Sequence, residues 1–192
     1  MVTALCNIYI NNDEKLKLFK ETFPLVYKIS DNWLVYIRGR HKKQVIAYIK
    51  NKFTDFKKNI TFFDNLYENN WAKSTTEMIK KSKYDFIYVF LEDHFLQKPL
   101  KQFQQVLNSM KKNEIDYFQY SFFNIGLPTY SIEILNPDTV NYFYAFELNL
   151  GHILDLKKSN KSFYPYSLIS VSSKKLFNLL LNIENKHLIK VP

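Results

Sequence analysis

Three consecutive residues, Glu92-Asp93-His94, carry side chains that can hold a metal ion. They follow directly on the apolar run 86–91, which is typical of a buried strand. Neighbouring carboxylates repel each other, and a divalent cation removes that penalty. We therefore predict a metal site formed by Glu92, Asp93 and His94. The alternative is a solvated strand end with His94 packed beside it.

Short apolar runs alternate with amphipathic runs over the first 123 residues. The apolar runs predict strands over 3–10, 33–38, 59–63, 84–91 and 116–123. Leu16, Phe19 and Phe23 recur at helical spacing after Asp13, the predicted N-cap, and Pro24 is expected to end this helix. Further helices are predicted over 42–53, after Asn70, after Pro99, and after a cap at Ser172 or Ser173.

The alternation of strands and helices predicts an α/β fold with a mostly parallel sheet between layers of helices. We expect one domain over 1–192, in which 1–123 form the alternating α/β half and 124–192 an irregular region with a last helix. Ligands bind at the carboxyl ends of such strands. The polar residues expected there are Asn11, Arg38, Arg40, Asp64 and Glu92-Asp93-His94.

Composition limits the kind of protein that this chain can be. Hydrophobic residues make up 46% of the chain, which argues against disorder. Cys6 is the single cysteine, so no internal disulfide forms. The first residues lack the pattern of a signal peptide, and we expect a cytoplasmic location. The net charge of +9 is compatible with a peripheral contact at a membrane.

The sequence lacks the motifs of several common binding and catalytic sites. It has no glycine-rich dinucleotide or P-loop pattern, no Gly-x-Ser-x-Gly elbow and no zinc-spaced Cys/His set. Basic residues interleaved with aromatic ones, as in 52–63 and 157–166, favour a nucleic-acid-binding module as the alternative function. We do not expect nucleic acid as the partner, because the lysines are scattered rather than blocked.

The segment 84–94, with its strand and acidic end, resembles the fourth strand and the Asp-x-Asp motif of glycosyltransferases with the GT-A fold (glycosyltransferase family 2-like). The segment 70–82 is similar to the nucleotide-facing helix that precedes that strand. The resemblance implies transfer of a sugar from a nucleotide-sugar donor to a hydroxyl acceptor, either a glycan, a polysaccharide or a lipid-linked acceptor. It implies Mn²⁺ or Mg²⁺ as the cofactor, a nucleotide-binding half over 1–123 and an acceptor-side region over 124–192. A GT-A-like domain that binds without catalysis is a further alternative.

The resemblance also implies roles for individual residues. Glu92, Asp93 and His94 would hold the metal, with Asp93 also acting in catalysis and Glu92 reaching the ribose. Binding of the nucleotide sugar is implied for Asn11, Arg38, Arg40, Asp64, Trp71, Lys73 and Glu92. An inverting enzyme needs a general base. Glu147, in an aromatic run suited to sugar rings, is preferred to Glu133, Asp138 and Asp155, and His152 is a further candidate for the metal site.

Two departures from the family pattern affect these roles. His94 replaces the second aspartate, and imidazole is a softer ligand that favours Mn²⁺ over Mg²⁺. The second predicted strand ends in Arg38-Gly39-Arg40, where the family often has an acidic residue for the base and ribose. We therefore expect these arginines to bind phosphate rather than the base.

Overall fold

A computed structural model describes residues 1–53, 59–92, 100, 102–119, 133–134, 144–145 and 169–182. Its strands are β1 (Thr3–Tyr9), β2 (Asn32–Arg38), β3 (Ile60–Phe62), β4 (Phe86–Phe90), β5 (Tyr117–Gln119), β6 (Glu133–Ile134), β7 (Tyr144–Ala145) and β8 (Ser170–Ser173). Its α-helices are α1 (Asp13–Val26), α2 (Lys42–Lys52), α3 (Trp71–Ile79), α4 (Phe103–Lys112) and α5 (Lys174–Asn182), and a 3-10 turn spans Tyr27–Ile29.

A mostly parallel sheet forms the centre of the molecule, as the sequence predicts. Six strands are ordered β3-β2-β1-β4-β8-β5, and β6 and β7 form a separate antiparallel pair. The strands β1 to β4 run parallel to one another, while β8 is antiparallel to both β4 and β5. The strand β1 is paired with β2 on one side and with β4 on the other, and it is buried over most of its length.

Helices cover both faces of this sheet. On one face, α1, α2 and α4 pack on the even-numbered side chains of β1, such as Cys6 and Ile8. On the other face, α3 and α5 pack on Leu5, Leu34 and Val89. None of the helices in the described ranges combines the length and apolarity that crossing a bilayer requires.

The helix ends show where the sequence-based interpretation was right and where it was wrong. Asn70 and Ser173 cap α3 and α5 as predicted, accepting hydrogen bonds from the amides of Lys73 and Leu176. The cap of α1 is Asn12 rather than Asp13, because the Asn12 side chain accepts from the amide of Lys15 at 2.8 Å. Pro24 lies inside the last turn of α1 and does not end it.

One strand of the six-stranded sheet, β8, was not predicted from the sequence. The sequence predicted five strands in the alternating half, the fifth over 116–123. The strand β8, from near the end of the chain, is inserted between β4 and β5. Its sequence, Ser170-Val171-Ser172-Ser173, has little apolar signal, and its pairing partners are far away along the chain.

The turns after β1 and β2 meet at Gly39. Its φ is +91°, and a Cβ there would lie 2.5 Å from the carbonyl oxygen of Ile10. The amide of Ile10 donates to the Arg38 carbonyl at 3.0 Å, and the amide of His41 donates to the Ile10 carbonyl at 3.1 Å. Only glycine fits this close backbone approach, which fixes the two strand ends relative to each other.

We expect Gly39→Ala to lower the free energy of unfolding by about 2 kcal/mol or more, because it adds both a strained φ and a backbone clash. Urea unfolding measures this. Arg40→Ala, at the exposed neighbouring position, is the control and should stay within about 0.5 kcal/mol of wild type. Equal midpoints for Gly39→Ala and wild type would show that the turn relaxes freely.

Candidate functional site

The carboxyl ends of β1 and β4 mark the point at which the strand order of the sheet reverses. From β1 the chain moves outward through β2 to β3 and then returns to β4 on the other side of β1. Open parallel sheets bind ligands in the crevice at this point. Residues at the ends of β1, β2 and β4, and those of the helices that begin beside them, therefore make up the candidate site.

Arg38, the last residue of β2, lies between aromatic rings at this edge. Its guanidinium carbon is 5.9 Å from the centroid of the Tyr9 ring and 5.7 Å from that of the Tyr36 ring. Its Nη1 donates to the carbonyl of Glu68 in the segment before α3. Its Nε is buried and has no hydrogen-bond partner within the described residues. A buried donor without a partner is costly, which makes this atom a candidate for contact with a ligand.

Asn7 and Trp71 hold the start of α3 against β1. The Trp71 indole N–H donates to the Asn7 carbonyl at 3.0 Å, and the Asn7 amide donates to Thr75 Oγ1 at 2.8 Å and to the Trp71 carbonyl at 3.2 Å. Asn7 is 1% exposed, and its Oδ1 has no partner in the described part of the chain. Because Trp71 uses its single donor on the backbone, only its ring remains for contact with a ligand.

Lys73 lies in the first turn of α3, where its ammonium is 4.8 Å from the centroid of the Tyr67 ring. Tyr67 and Tyr9 are 46% and 45% exposed, two of the few large apolar side chains in the described residues that face solvent to this extent. The helix N-terminus adds a partial positive charge. We call Tyr9, Arg38, Tyr67, Trp71 and Lys73 the α3-side cluster. It offers aromatic faces and positive charge in one place.

Glu92 lies on the other face of the sheet, towards α1. Its Oε1 accepts from Lys15 Nζ at 3.1 Å, and its side chain is 17% exposed. Burial raises the pKa of the Cys6 thiol well above its usual value, and the nearby charge of Glu92 raises that pKa further. Cys6 faces the α1 layer, and the ion pair with Lys15 places Glu92 on the same side.

The remaining predicted residues of the described ranges lie at the rim. Asp64 is 67% exposed at its side chain and accepts from Lys42 Nζ at 2.8 Å. Asn11 and Arg40 are exposed in the turns that follow β1 and β2. The structure thus brings Arg38, Trp71 and Lys73 into one cluster, whereas Asp64 is paired with α2.

The metal and general-base predictions fall mainly on residues outside the described ranges. Asp93, His94, Asp138, Glu147, His152 and Asp155 all lie outside them, and Glu133 belongs to β6. Within the described residues no group of three His, Cys, Asp or Glu side chains is placed to hold a metal. Glu92 by itself, already paired with Lys15, does not make up a metal site. The three-residue site therefore stays a prediction.

Comparison with known proteins identifies the fold. The first 349 residues of TarS from S. aureus superpose with a TM-score of 0.50 at 10% identity, covering 94% of this chain and 49% of that chain. The chain has the GT-A fold. It spans about half the length of the TarS chain it matches. No protein-family model and no curated protein matches its sequence.

Two further likenesses add nothing to the fold assignment, since their TM-scores are both 0.41. One is to TarS 1–349 in complex with UDP, at 14% identity over 67% of this chain and 38% of that one. The other is to the bifunctional IspDF from Campylobacter jejuni, at 10% identity over 98% of this chain and 44% of that one.

Four residues of the site were not identified from the sequence: Asn7, Tyr9, Lys15 and Tyr67. A signal existed for Asn7, which is an amide within an otherwise apolar strand and needs buried partners. No sequence signal distinguishes Tyr9 or Tyr67 among 14 tyrosines, or Lys15 among the many lysines. Their importance follows from the geometry of the strand ends.

We expect Trp71→Phe to lower the free energy of unfolding by about 1–2 kcal/mol, because it removes the indole donor to the Asn7 carbonyl while keeping an aromatic ring. Urea unfolding provides the measurement. Tyr67→Phe is the matched control at an exposed ring and should change stability by less than about 0.5 kcal/mol. An unchanged Trp71→Phe protein would show that this bond does not anchor α3.

Proposed function

We propose that the chain is a glycosyltransferase that moves a sugar from a nucleotide-sugar donor to a hydroxyl acceptor, a glycan or a lipid-linked acceptor. The observation that carries the proposal is the α3-side cluster beside the reversal point of a GT-A sheet. Aromatic faces suit a base or a sugar ring, and cations suit a diphosphate. The fold alone leaves the chemistry open, so the argument rests on these side chains.

Within this proposal, Arg38 and Lys73 bind the diphosphate of the donor. Arg38 is held by the Glu68 carbonyl and by two tyrosine rings, so its position is set before a ligand arrives. Negative charge develops on the leaving diphosphate as the bond to the sugar breaks, and fixed cations stabilise it most at that stage. The proposal assigns stacking on the base or the sugar to the rings of Tyr9 and Tyr67, which are exposed.

The metal-dependent part of the proposal concerns Glu92, Asp93 and His94, with Mn²⁺ preferred to Mg²⁺ because of the imidazole. When bound, such an ion would neutralise diphosphate charge. Glu92 would have to leave Lys15 to become a ligand, since its Oε1 is already paired. Asp93 as a catalytic group and Glu147 as the general base for the acceptor hydroxyl complete the proposed roles. Asn11, Arg40 and Asp64 are proposed to contact the donor from the rim.

The first test is a thermal-unfolding screen of nucleotide sugars and nucleoside diphosphates that carry different bases, each with EDTA or with Mn²⁺. A donor at 100 times its Kd adds about 2.7 kcal/mol to the folded state. For a chain of this size that raises the Tm by several degrees, roughly 5–10 °C. We expect the nucleotides and nucleotide sugars that carry at least one of the bases to give such a shift. We also expect the protein to release free nucleotide slowly from the matching nucleotide sugar.

Variants assign the effect to the cluster. Lys73→Gln should weaken donor binding at least about tenfold through loss of a phosphate contact, whereas Lys111→Gln, an exposed lysine of α4, should leave it unchanged. Asp93→Asn tests the metal part separately, because it should abolish the Mn²⁺-dependent increment only. The proposal is wrong if no donor stabilises the wild-type protein in either condition.

A further inference from the structure

Positive charge is concentrated in the segment that builds α1, β2 and α2. Residues 13–52 include ten Lys or Arg and four Asp or Glu, an excess of six, whereas the net charge of the whole chain is +9. The helix α2 has four lysines and no carboxylate. Two charges of this excess, Arg38 and Arg40, belong to the carboxyl edge of the sheet, and α1 has three lysines against three carboxylates. The layer that α1 and α2 form on one face of the sheet therefore owes its excess positive charge to the four lysines of α2.

A groove of about 440 Å³ runs between the outer sides of α1 and α2. The ring of Tyr48 lies in it, and the ammonium groups of Lys20 and Lys52 are 5.8 and 5.4 Å from the ring centroid. The Tyr48 hydroxyl donates to the Lys20 carbonyl at 3.0 Å and so connects the two helices. The Tyr48 ring therefore has two ammonium groups beside it, one from each helix.

Carboxylates do not neutralise the outer lysines of this layer within the described residues. Lys20, Lys43, Lys50 and Lys52 are all exposed, and none of them forms an ion pair in the described part of the chain. Two carboxylates border the groove: Glu21 is 4.0 Å from Lys17, and Asp13 is 3.3 Å from the His41 ring. Lys20 and Lys52 meet at the Tyr48 ring, whereas Lys50 lies 5.2 Å from the centroid of the Phe62 ring of β3. Ammonium groups without counter-charges repel one another, and an external anion relieves that repulsion.

The shape and composition of this surface indicate which anion it fits. The most exposed large apolar side chains of the described residues are Met1, Tyr9, Tyr67 and Leu179, and none of them belongs to α1 or α2. Proteins that bind single-stranded nucleic acid stack bases on exposed rings. Tyr48 is half-buried and covered by lysines instead. The two-helix layer therefore presents charge without stacking platforms.

We propose that the outer face of α1 and α2, centred on Lys20, Lys43, Lys50 and Lys52, docks on a membrane surface of anionic lipids. Each lysine near such a surface strengthens binding several-fold, and the attraction falls off within a Debye length. The contact uses a helical layer, so the carboxyl edge with the α3-side cluster stays open to ligands. The inference does not depend on the proposed transferase activity.

The experiment is co-sedimentation of the full chain with vesicles of 30% phosphatidylserine in phosphatidylcholine, compared with pure phosphatidylcholine vesicles, at 50 and 300 mM salt. We expect binding to the anionic vesicles at low salt only. The variant in which Lys20, Lys43, Lys50 and Lys52 are all changed to Gln should lose at least about tenfold in vesicle affinity. Its thermal unfolding should resemble that of wild type, because all four side chains are exposed.

A matched variant removes the same charge elsewhere. Lys80, Lys81, Lys112 and Lys175, exposed residues near the ends of α3, α4 and α5, are changed to Gln together. This variant should lose no more than about threefold. Equal losses in the two variants, no binding of wild type to the anionic vesicles, or tighter binding to an RNA or DNA duplex at the same salt would each overturn the proposal.

Discussion

The close approach of Gly39 to the Ile10 carbonyl fixes the geometry on which the candidate site depends. It allows two backbone hydrogen bonds to join the turns after β1 and β2, from Ile10 to Arg38 and from His41 to Ile10. Tyr9 and Arg38 are the last residues of β1 and β2 and are paired in register, so their side chains lie side by side on the α3 face.

The His41 ring also contributes to the junction between the two turns, because its Nδ1 is 2.9 Å from Gln44 Oε1. Its Nε2 is 3.3 Å from Asp13 Oδ1, which is close enough for an ion pair, although the pair is not aligned as a hydrogen bond.

A second constraint comes from placing an amide inside β1. Asn7 is buried among apolar residues, and burying an amide without partners costs more than burying an alkyl group. The start of α3 supplies those partners through Thr75 and the Trp71 carbonyl, and Trp71 returns a hydrogen bond to the backbone of β1. This exchange fixes where α3 begins. Lys73 and the preceding Tyr67 are thereby held beside the end of β2, where Arg38 meets the Glu68 carbonyl.

The alternation of apolar and amphipathic runs was enough to predict β1 to β4 and the helices between them. These predictions succeeded because parallel strands buried on both faces are apolar throughout. The insertion of β8 could not be predicted, since its pairing depends on contacts far apart in the sequence. The same holds for Lys15, which meets Glu92 only because α1 returns along β1 beside β4. Local sequence does show which residues carry charge, but tertiary packing decides which charges pair.

At the carboxyl ends of the strands, the charges on the two sides of the sheet have different partners. On the α1 side of the strand ends, Glu92 and Asp64 are each balanced by a lysine from the adjoining helix, at 3.1 and 2.8 Å. On the α3 side, the cations Arg38 and Lys73 lie against tyrosine rings. Rings attract a cation without cancelling its charge, so these two groups retain the ability to bind an anion. An anionic ligand that reaches the carboxyl edge therefore meets balanced pairs on one side and unbalanced positive charge on the other. Among the groups at this edge, electrostatics favours the α3-side cluster.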